Sequence, residues 1–167
     1  IGARIASALP PPSPHAAASV ASIDSSRFTS PSIVAARNAL ASSSRDVLTL
    51  PRFANVLADP DVPSGAARVL LCSGKIRHEL REERQRRGAM DTAILSLEQL
   101  YPFPKAELET ALAEHPQASE VVWVQEEPAN MGALSFVLPR LEETARRAKV
   151  RSIKRSPSAS PATGSAK

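Results

Sequence analysis

The sequence predicts an α/β domain of three layers built on a mostly parallel sheet. Three observations lead there. Short apolar runs at Val69–Cys72, Thr92–Leu97 and Val121–Val124 have strand length. Each ends in a polar or proline-bearing loop that opens a helical pattern. The stretches between the runs are long enough for helical crossovers, which join parallel strands with a right-handed turn. No internal repeat is visible.

The elements follow in order. Residues 1–46 are rich in Ala, Ser and Pro, as in ALPPPSPHAAASVAS, with small apolar residues of poor periodicity. This composition reads as a low-complexity, disordered segment. A transit-like peptide and sequence foreign to the natural protein are alternatives. The first residue is Ile1, and a fragment or processed product is the expectation. Residues 47–67 read as a connector, in which RFANVLADPDV carries two short apolar clusters and a turn signal at DPD.

The domain proper is expected over 68–155. Val69, Leu70, Leu71 and Cys72 form an uninterrupted apolar run, as in a strand buried on both faces. Ser73 and Gly74 make a tight turn. Lys75 to Arg87 reads as a helix, with Glu82 to Arg86 and Glu83 to Arg87 spaced for ion pairs, Ile76 and Leu80 facing the core, and Gly88 as its cap. Thr92 to Leu97 is the second strand. Pro104 suits the first turn of a helix, because its missing N–H costs nothing there. Leu108, Ala111, Leu112 and His115 then mark one buried stripe, and Pro116 stops it. Val121 to Val124 is the third strand. Leu134, Val137, Leu138, Leu141 and Ala145 give a third stripe, in which Pro139 predicts a kink or a delayed start. Val150 to Ile153 reads as a short edge strand, and 156–167 as a Ser/Pro/Ala tail.

The net charge of +4 is mild. The lone cysteine, Cys72, excludes an intrachain disulfide and reads as a small core residue. No apolar run approaches the roughly 20 residues that cross a bilayer, and no membrane partner is expected. CSGK (Cys72 to Lys75) offers an anion cradle at a helix start but lacks the spacing of a P-loop, so a plain βα turn is preferred. His78 and His115 have no second ligand at metal spacing, and His15 lies in the low-complexity start. Arg146, Arg147, Lys149, Arg151, Lys154 and Arg155 form a basic cluster without interleaved aromatics. It reads as a solvated helix end or a small-anion site, and no nucleic-acid partner is expected. Gln125, Glu126 and Glu127 close the third strand. Consecutive strand side chains diverge, so one faces a cleft and one faces out, with loop hydrogen bonding or a subunit interface as their role.

Five motifs in register carry a family resemblance: RVLLCSGKI, ILSLEQLYPFP, EVVWVQEEPANMGA, FVLPRLEE and SASPATGS. From about Arg52 to Lys167 the chain resembles the C-terminal end of the decarboxylating component of the 2-oxoglutarate dehydrogenase complex. The resemblance implies a transketolase C-terminal-domain-like fold. It also implies oxidative decarboxylation of 2-oxoglutarate, in the tricarboxylic acid cycle, with succinyl transfer to lipoamide. Thiamine diphosphate and Mg²⁺ would serve the full-length protein, held by two upstream domains. This segment would bind neither and would supply no catalytic residue. The implied role is to complete a homodimer and shape the entrance, with Gln125, Glu126 and Glu127 as the interface or entrance loop and Lys154 and Arg155 as an effector site. The implied partners are the succinyltransferase and dihydrolipoamide dehydrogenase components. A bacterial cytoplasmic location follows, with the mitochondrial matrix as alternative. Arg77 and His78 stand where the family has aromatic residues, Leu134 where it has a tryptophan, and the chain stops at Lys167 where the family runs on. A non-enzymatic interaction module binding an acidic partner or an acyl-coenzyme A-like effector is the rival reading.

Overall fold

The structure, a computed structural model, describes residues 53–160. The expected low-complexity start lies outside the described residues, as does the tail beyond Ser160. Five strands and three helices alternate: β1 (Val56–Leu57), β2 (Arg68–Cys72), α1 (Ile76–Arg87), β3 (Thr92–Leu97), α2 (Lys105–Ala113), β4 (Glu120–Pro128), α3 (Leu134–Thr144) and β5 (Lys149–Arg155). They build one sheet in the order β1-β3-β2-β4-β5. Every pairing is parallel except that of β1 with β3. The fold is therefore α/β with a mostly parallel sheet, as the apolar runs predict.

Right-handed crossovers dictate the layers. The chain steps from β2 to β3 in one direction, then from β3 to β4 and β5 in the other, so α1 lies on one face and α2 with α3 on the other. The core divides accordingly. Val69, Leu71, Ala93, Leu95, Leu97, Val121 and Trp123 pack with Leu108 of α2 and Val137 and Leu141 of α3. Leu70, Cys72, Ile94, Val122 and Val124 pack with Ile76 and Leu80 of α1. Alternate residues of one apolar run thus enter two different cores, which is why the strands carry no polar alternation. Each fully buried leucine or valine contributes roughly 1.5–3 kcal/mol relative to exposure.

Several local expectations are refined. Gly88 caps α1 with φ 65°, and its amide donates to the Gln85 carbonyl at 3.1 Å. Glu83 takes both ion-pair partners on α1, Arg87 at 2.7 Å and Arg86 through a short contact. Arg86 turns to Glu83 rather than to the expected Glu82, and the hydrogen bond from Arg86, ahead of that from Arg87, holds the Glu83 carboxyl below the ordinary carboxylate value. Pro104 stands one residue before α2, at its cap, and its carbonyl accepts from Leu108 at 3.0 Å. Pro139 lies inside α3, which begins five residues earlier at Leu134 rather than being delayed.

Residues 47–67 are expected as a connector, and their described part enters the sheet and the core. Val56 and Leu57 add the antiparallel edge strand, and Val62 and Ala66 are buried. Asp59 and Arg84 are also buried and face each other in an ion pair. The Asp59 carboxylate additionally accepts the Ile94 amide at 2.7 Å and a second Arg84 nitrogen at 3.1 Å. Arg84 reaches the Thr92 carbonyl at 3.1 Å and Asp61 at 2.7 Å, and Asp61 also holds Arg81 at 2.9 Å. Burial pushes the Asp61 carboxyl up, but the hydrogen bonds and charges of Arg81 and Arg84 outweigh it and hold the group below its ordinary value. The DPD signal is thus an arginine clasp between the first residues of the domain, α1 and β3.

Cys72 is fully buried, with its thiol 3.6 Å from the Leu95 carbonyl. Burial pushes the thiol up to about 12. A thiol reagent applied to the native chain at pH 8 is expected to leave Cys72 unmodified until denaturant is added. Stoichiometric labelling of the native protein would contradict its place in the core.

Candidate functional site

In sheets of this order, ligands bind at the carboxyl ends of the strands where the chain reverses its winding direction. Here that point lies between β2 and β4. The loop after β2 departs toward α1 and the loop after β4 toward α3, leaving a crevice between them. A cleft of about 430 Å³ opens there, lined by Ser73, Leu100, Tyr101, Trp123, Glu127, Gly132, Ala133 and Phe136. A second cavity of about 500 Å³ lies at the opposite, amino end of β4, between the last turns of α2 and α3. The first is the candidate site, because strand ends and divergent loops converge on it.

The β4–α3 loop is organised by Gln125. Its side chain is buried, and its carbonyl oxygen accepts from the Trp123 indole at 2.9 Å. Its amide nitrogen donates to the carbonyls of Glu127 (3.3 Å), Pro128 (3.2 Å) and Met131 (2.9 Å). A glutamine suits this position because it presents an acceptor and two donors on one planar group. Gly132 closes the loop with φ 72°, and a Cβ there would meet Gln125 Nε2 and Glu127 Cβ, each at 3.1 Å. The loop also bulges, since the four steps from Val124 to Pro128 match only two on β5, from Ile153 to Arg155.

The expected divergence of Gln125, Glu126 and Glu127 is visible in detail. Gln125 points into the loop. Glu126, half-buried, crosses the crevice to Lys75 at 3.2 Å. Glu127 is exposed and lines the cleft. Lys75 is pulled upward in pKa by the hydrogen bond and charge of Glu126, but it is solvent-exposed, so the pair is weak. The CSGK turn therefore spends its lysine on an ion pair, and Gly74 serves the turn with φ 72°. Arg77 donates to the Ala58 carbonyl at 3.2 Å. Leu134 packs against the core under α2 and α3.

Aromatic packing sets the far wall of the cleft. Phe136 meets Phe103 edge-on with ring centres 6.4 Å apart, and the Arg140 guanidinium lies 3.7 Å over the Phe136 ring. Tyr101 stands 83% exposed at the rim. Ser73 and Tyr101 lie in the two strand-end loops that the sequence marks out, CSGK and YPFP, whereas Phe136, inside α3, is a cleft residue that sequence reasoning did not single out.

Lys154 and Arg155 are neighbours on β5, so their side chains leave the sheet on opposite faces. Lys154 donates to Ser152 Oγ at 2.9 Å, and the Arg155 carbonyl accepts the Ala129 amide at 3.0 Å. The strand does not gather the two into one pocket. The first tail residues are held by Asn130, which bonds both the carbonyl and the amide of Ser158 at 3.1 Å.

His115 is buried just after α2, and its Nδ1 accepts the Ala66 amide at 3.2 Å. Burial holds the imidazole below its ordinary 6.5. The unfolded chain therefore takes up a proton near pH 6.5 that the folded chain refuses. The stability that depends on neutral His115 is complete above that pH and is lost as pH falls toward the folded value. His115→Asn preserves an acceptor without titrating, so its stability is expected to fall less steeply than the wild type below pH 6.5. Parallel pH profiles in urea titrations would remove His115 as the cause.

No group of three His, Cys, Asp or Glu side chains that could hold a metal ion occurs among the described residues. The cleft also offers no basic cradle for a diphosphate. These residues do not fit a metal–diphosphate cofactor. No helix among the described residues is long and apolar enough to cross a membrane.

Comparison with known proteins agrees with this architecture. The family profile described as 2-oxoglutarate dehydrogenase C-terminal matches residues 41–167. The 2-oxoglutarate dehydrogenase E1 components of Brucella anthropi, Brucella ovis and Brucella canis are each 50% identical to this chain over 102 residues, covering 58% of it. The aligned part makes up 10% of each relative's length, so the chain spans about a tenth of the proteins it matches.

Proposed function

We propose, from the premise that the chain belongs to the 2-oxoglutarate dehydrogenase C-terminal family, that it is the closing domain of a decarboxylating E1 subunit. The whole subunit would decarboxylate 2-oxoglutarate oxidatively and pass the succinyl group to lipoamide on the succinyltransferase component. Thiamine diphosphate and Mg²⁺ would be held by upstream domains. The observation that carries this reading is the continuous match over 41–167, which takes in the described sheet and its carboxyl-end loops.

This segment's share is architectural. The Gln125 hub sets the loop, Glu126 ties it to the turn after β2, and Glu127 with Tyr101 faces outward at the rim. That arrangement suits a surface that shapes an entrance or meets a second subunit in a homodimer. Lys154 and Arg155, adjacent on β5, would be the cations offered to a small anionic effector. The dihydrolipoamide dehydrogenase component would complete the assembly, and the bacterial relatives favour the cytoplasm. The reading of a free-standing, non-enzymatic module is not favoured by the family match.

A chimera tests this proposal. The matching C-terminal segment of the Brucella ovis E1 component is replaced by residues 41–167 of this chain. The chimera is expected to release CO₂ from 2-oxoglutarate and to remain dimeric, whereas the 167-residue chain alone does neither. A well-folded chimera without activity would overturn the assignment. Stoichiometric thiamine diphosphate binding by the 167-residue chain would overturn the purely architectural role.

A further inference from the structure

We propose that the cavity at the amino end of β4 is a binding site for a small organic acid, an apolar body carrying one carboxylate. It lies at the opposite end of the sheet from the crevice, between the last turns of α2 and α3, and does not depend on the E1 reading. Its volume of about 500 Å³ falls within the roughly 300–1,000 Å³ that small-molecule sites occupy. Leu112, Ala118, Val121, Ala145 and Ala148 give it an apolar lining. His115 adds one directed polar group. Its side chain is only 3% exposed and forms part of the cavity wall. Nδ1 accepts the Ala66 amide at 3.2 Å, so the proton of the neutral ring sits on Nε2. That N–H has no hydrogen-bond partner among the described residues, yet it is not sealed in as the Nε atoms of Arg77 and Arg84 are. Its open direction is the cavity. A donor so enclosed is costly to leave unmade, and an acceptor on a bound molecule satisfies it.

The mouth of the cavity selects the charge of the ligand. Arg146 and Arg147 line it and are exposed, and neither forms an ion pair among the described residues. Arg146 is held through its Nε to the Glu143 carbonyl at 2.9 Å, which leaves the terminal nitrogens of its fork for a ligand. A guanidinium fork meets a carboxylate with two parallel hydrogen bonds. Glu109 stands against these cations on the α2 side of the lining. The carboxyl ends of α2 and α3 also meet here, and helix ends of that polarity carry partial negative charge. One negative charge is therefore welcomed and a second is opposed. A monocarboxylate fits where a phosphate monoester does not.

The experiment titrates 2-naphthaleneacetate into the ¹⁵N-labelled 167-residue chain and follows it by NMR. Saturable shifts are expected over 112–118 and 144–148 and at His115 Nε2, while the Trp123 indole, at the other end of the sheet, stays still. Three controls separate the contributions. 2-Naphthaleneethanol lacks the charge, acetate lacks the apolar body, and 2-naphthyl phosphate carries too much charge. Each is expected to bind roughly tenfold more weakly or worse. Ala118→Leu fills the cavity and should abolish the shifts. The exposed pair Arg146→Gln and Arg147→Gln leaves the packing intact and should weaken binding roughly tenfold. An absence of saturable shifts, or an unmoved His115 Nε2, would overturn the proposal. Equal binding of the alcohol, tighter binding of the phosphate, or indifference to the arginine pair would do the same, leaving only a greasy or generally cationic surface.

Discussion

Replacing Arg84 with methionine is expected to lower the unfolding free energy by about 3–5 kcal/mol, because it strands a buried carboxylate. Asp59 and Arg84 are both fully enclosed, and the guanidinium also serves Asp61 and the Thr92 carbonyl. Methionine fills the volume but offers no donor. Against the 5–15 kcal/mol that stabilises an ordinary domain, this is a large fraction. Asp59→Asn alone is expected to be costly too, since it leaves the arginine charge without its buried partner. Combined with Arg84→Met it should cost less than the sum, because the remaining amide still accepts from Ile94. Urea unfolding of the four chains followed by circular dichroism measures that coupling. A loss below about 1 kcal/mol for Arg84→Met would show that water reaches the pair.

The second large effect is expected from Gln125→Leu. Leucine is similar in size, so packing survives while four hydrogen bonds vanish. The buried Trp123 indole loses its acceptor, at about 1–3 kcal/mol. The carbonyls of Glu127 and Met131 are only part-buried and can turn to water, whereas the buried Pro128 carbonyl loses a donor outright. The expected signature is therefore local. Amide exchange over 127–133 should quicken while exchange in β2 and β3 stays slow. Uniform acceleration across the sheet would mean that the loop is not a separate unit and that Gln125 acts on the core as a whole.

The strands were legible because an apolar run needs no partner in order to be recognised. Val69 to Cys72 announces burial on both faces by itself, and the two cores confirm it. β1 was not legible, since two residues paired with Leu97 and Ser96 across forty positions leave no periodic trace. Arg84 was hidden for a different reason. On a helix reading IRHELREERQRR, a charged residue looks solvated, and only Asp59 arriving from outside the helix makes its burial tolerable. The strand-end triplet was readable from its position as residues whose side chains part company. Which member turned inward was not readable, because the bulge after Val124 breaks the simple alternation. The cleft required the strand order itself, and strand order is set by long-range pairing.

The chain's only tryptophan sits at the floor of that cleft, fully enclosed and bonded to the residue that shapes the adjoining loop. It is consequently a built-in optical reporter. Its emission should be blue-shifted and poorly quenched by iodide in the native chain. Any molecule that enters the crevice, or any rearrangement of the turn from Glu127 to Gly132, should register as a change in its colour or lifetime, with no label attached.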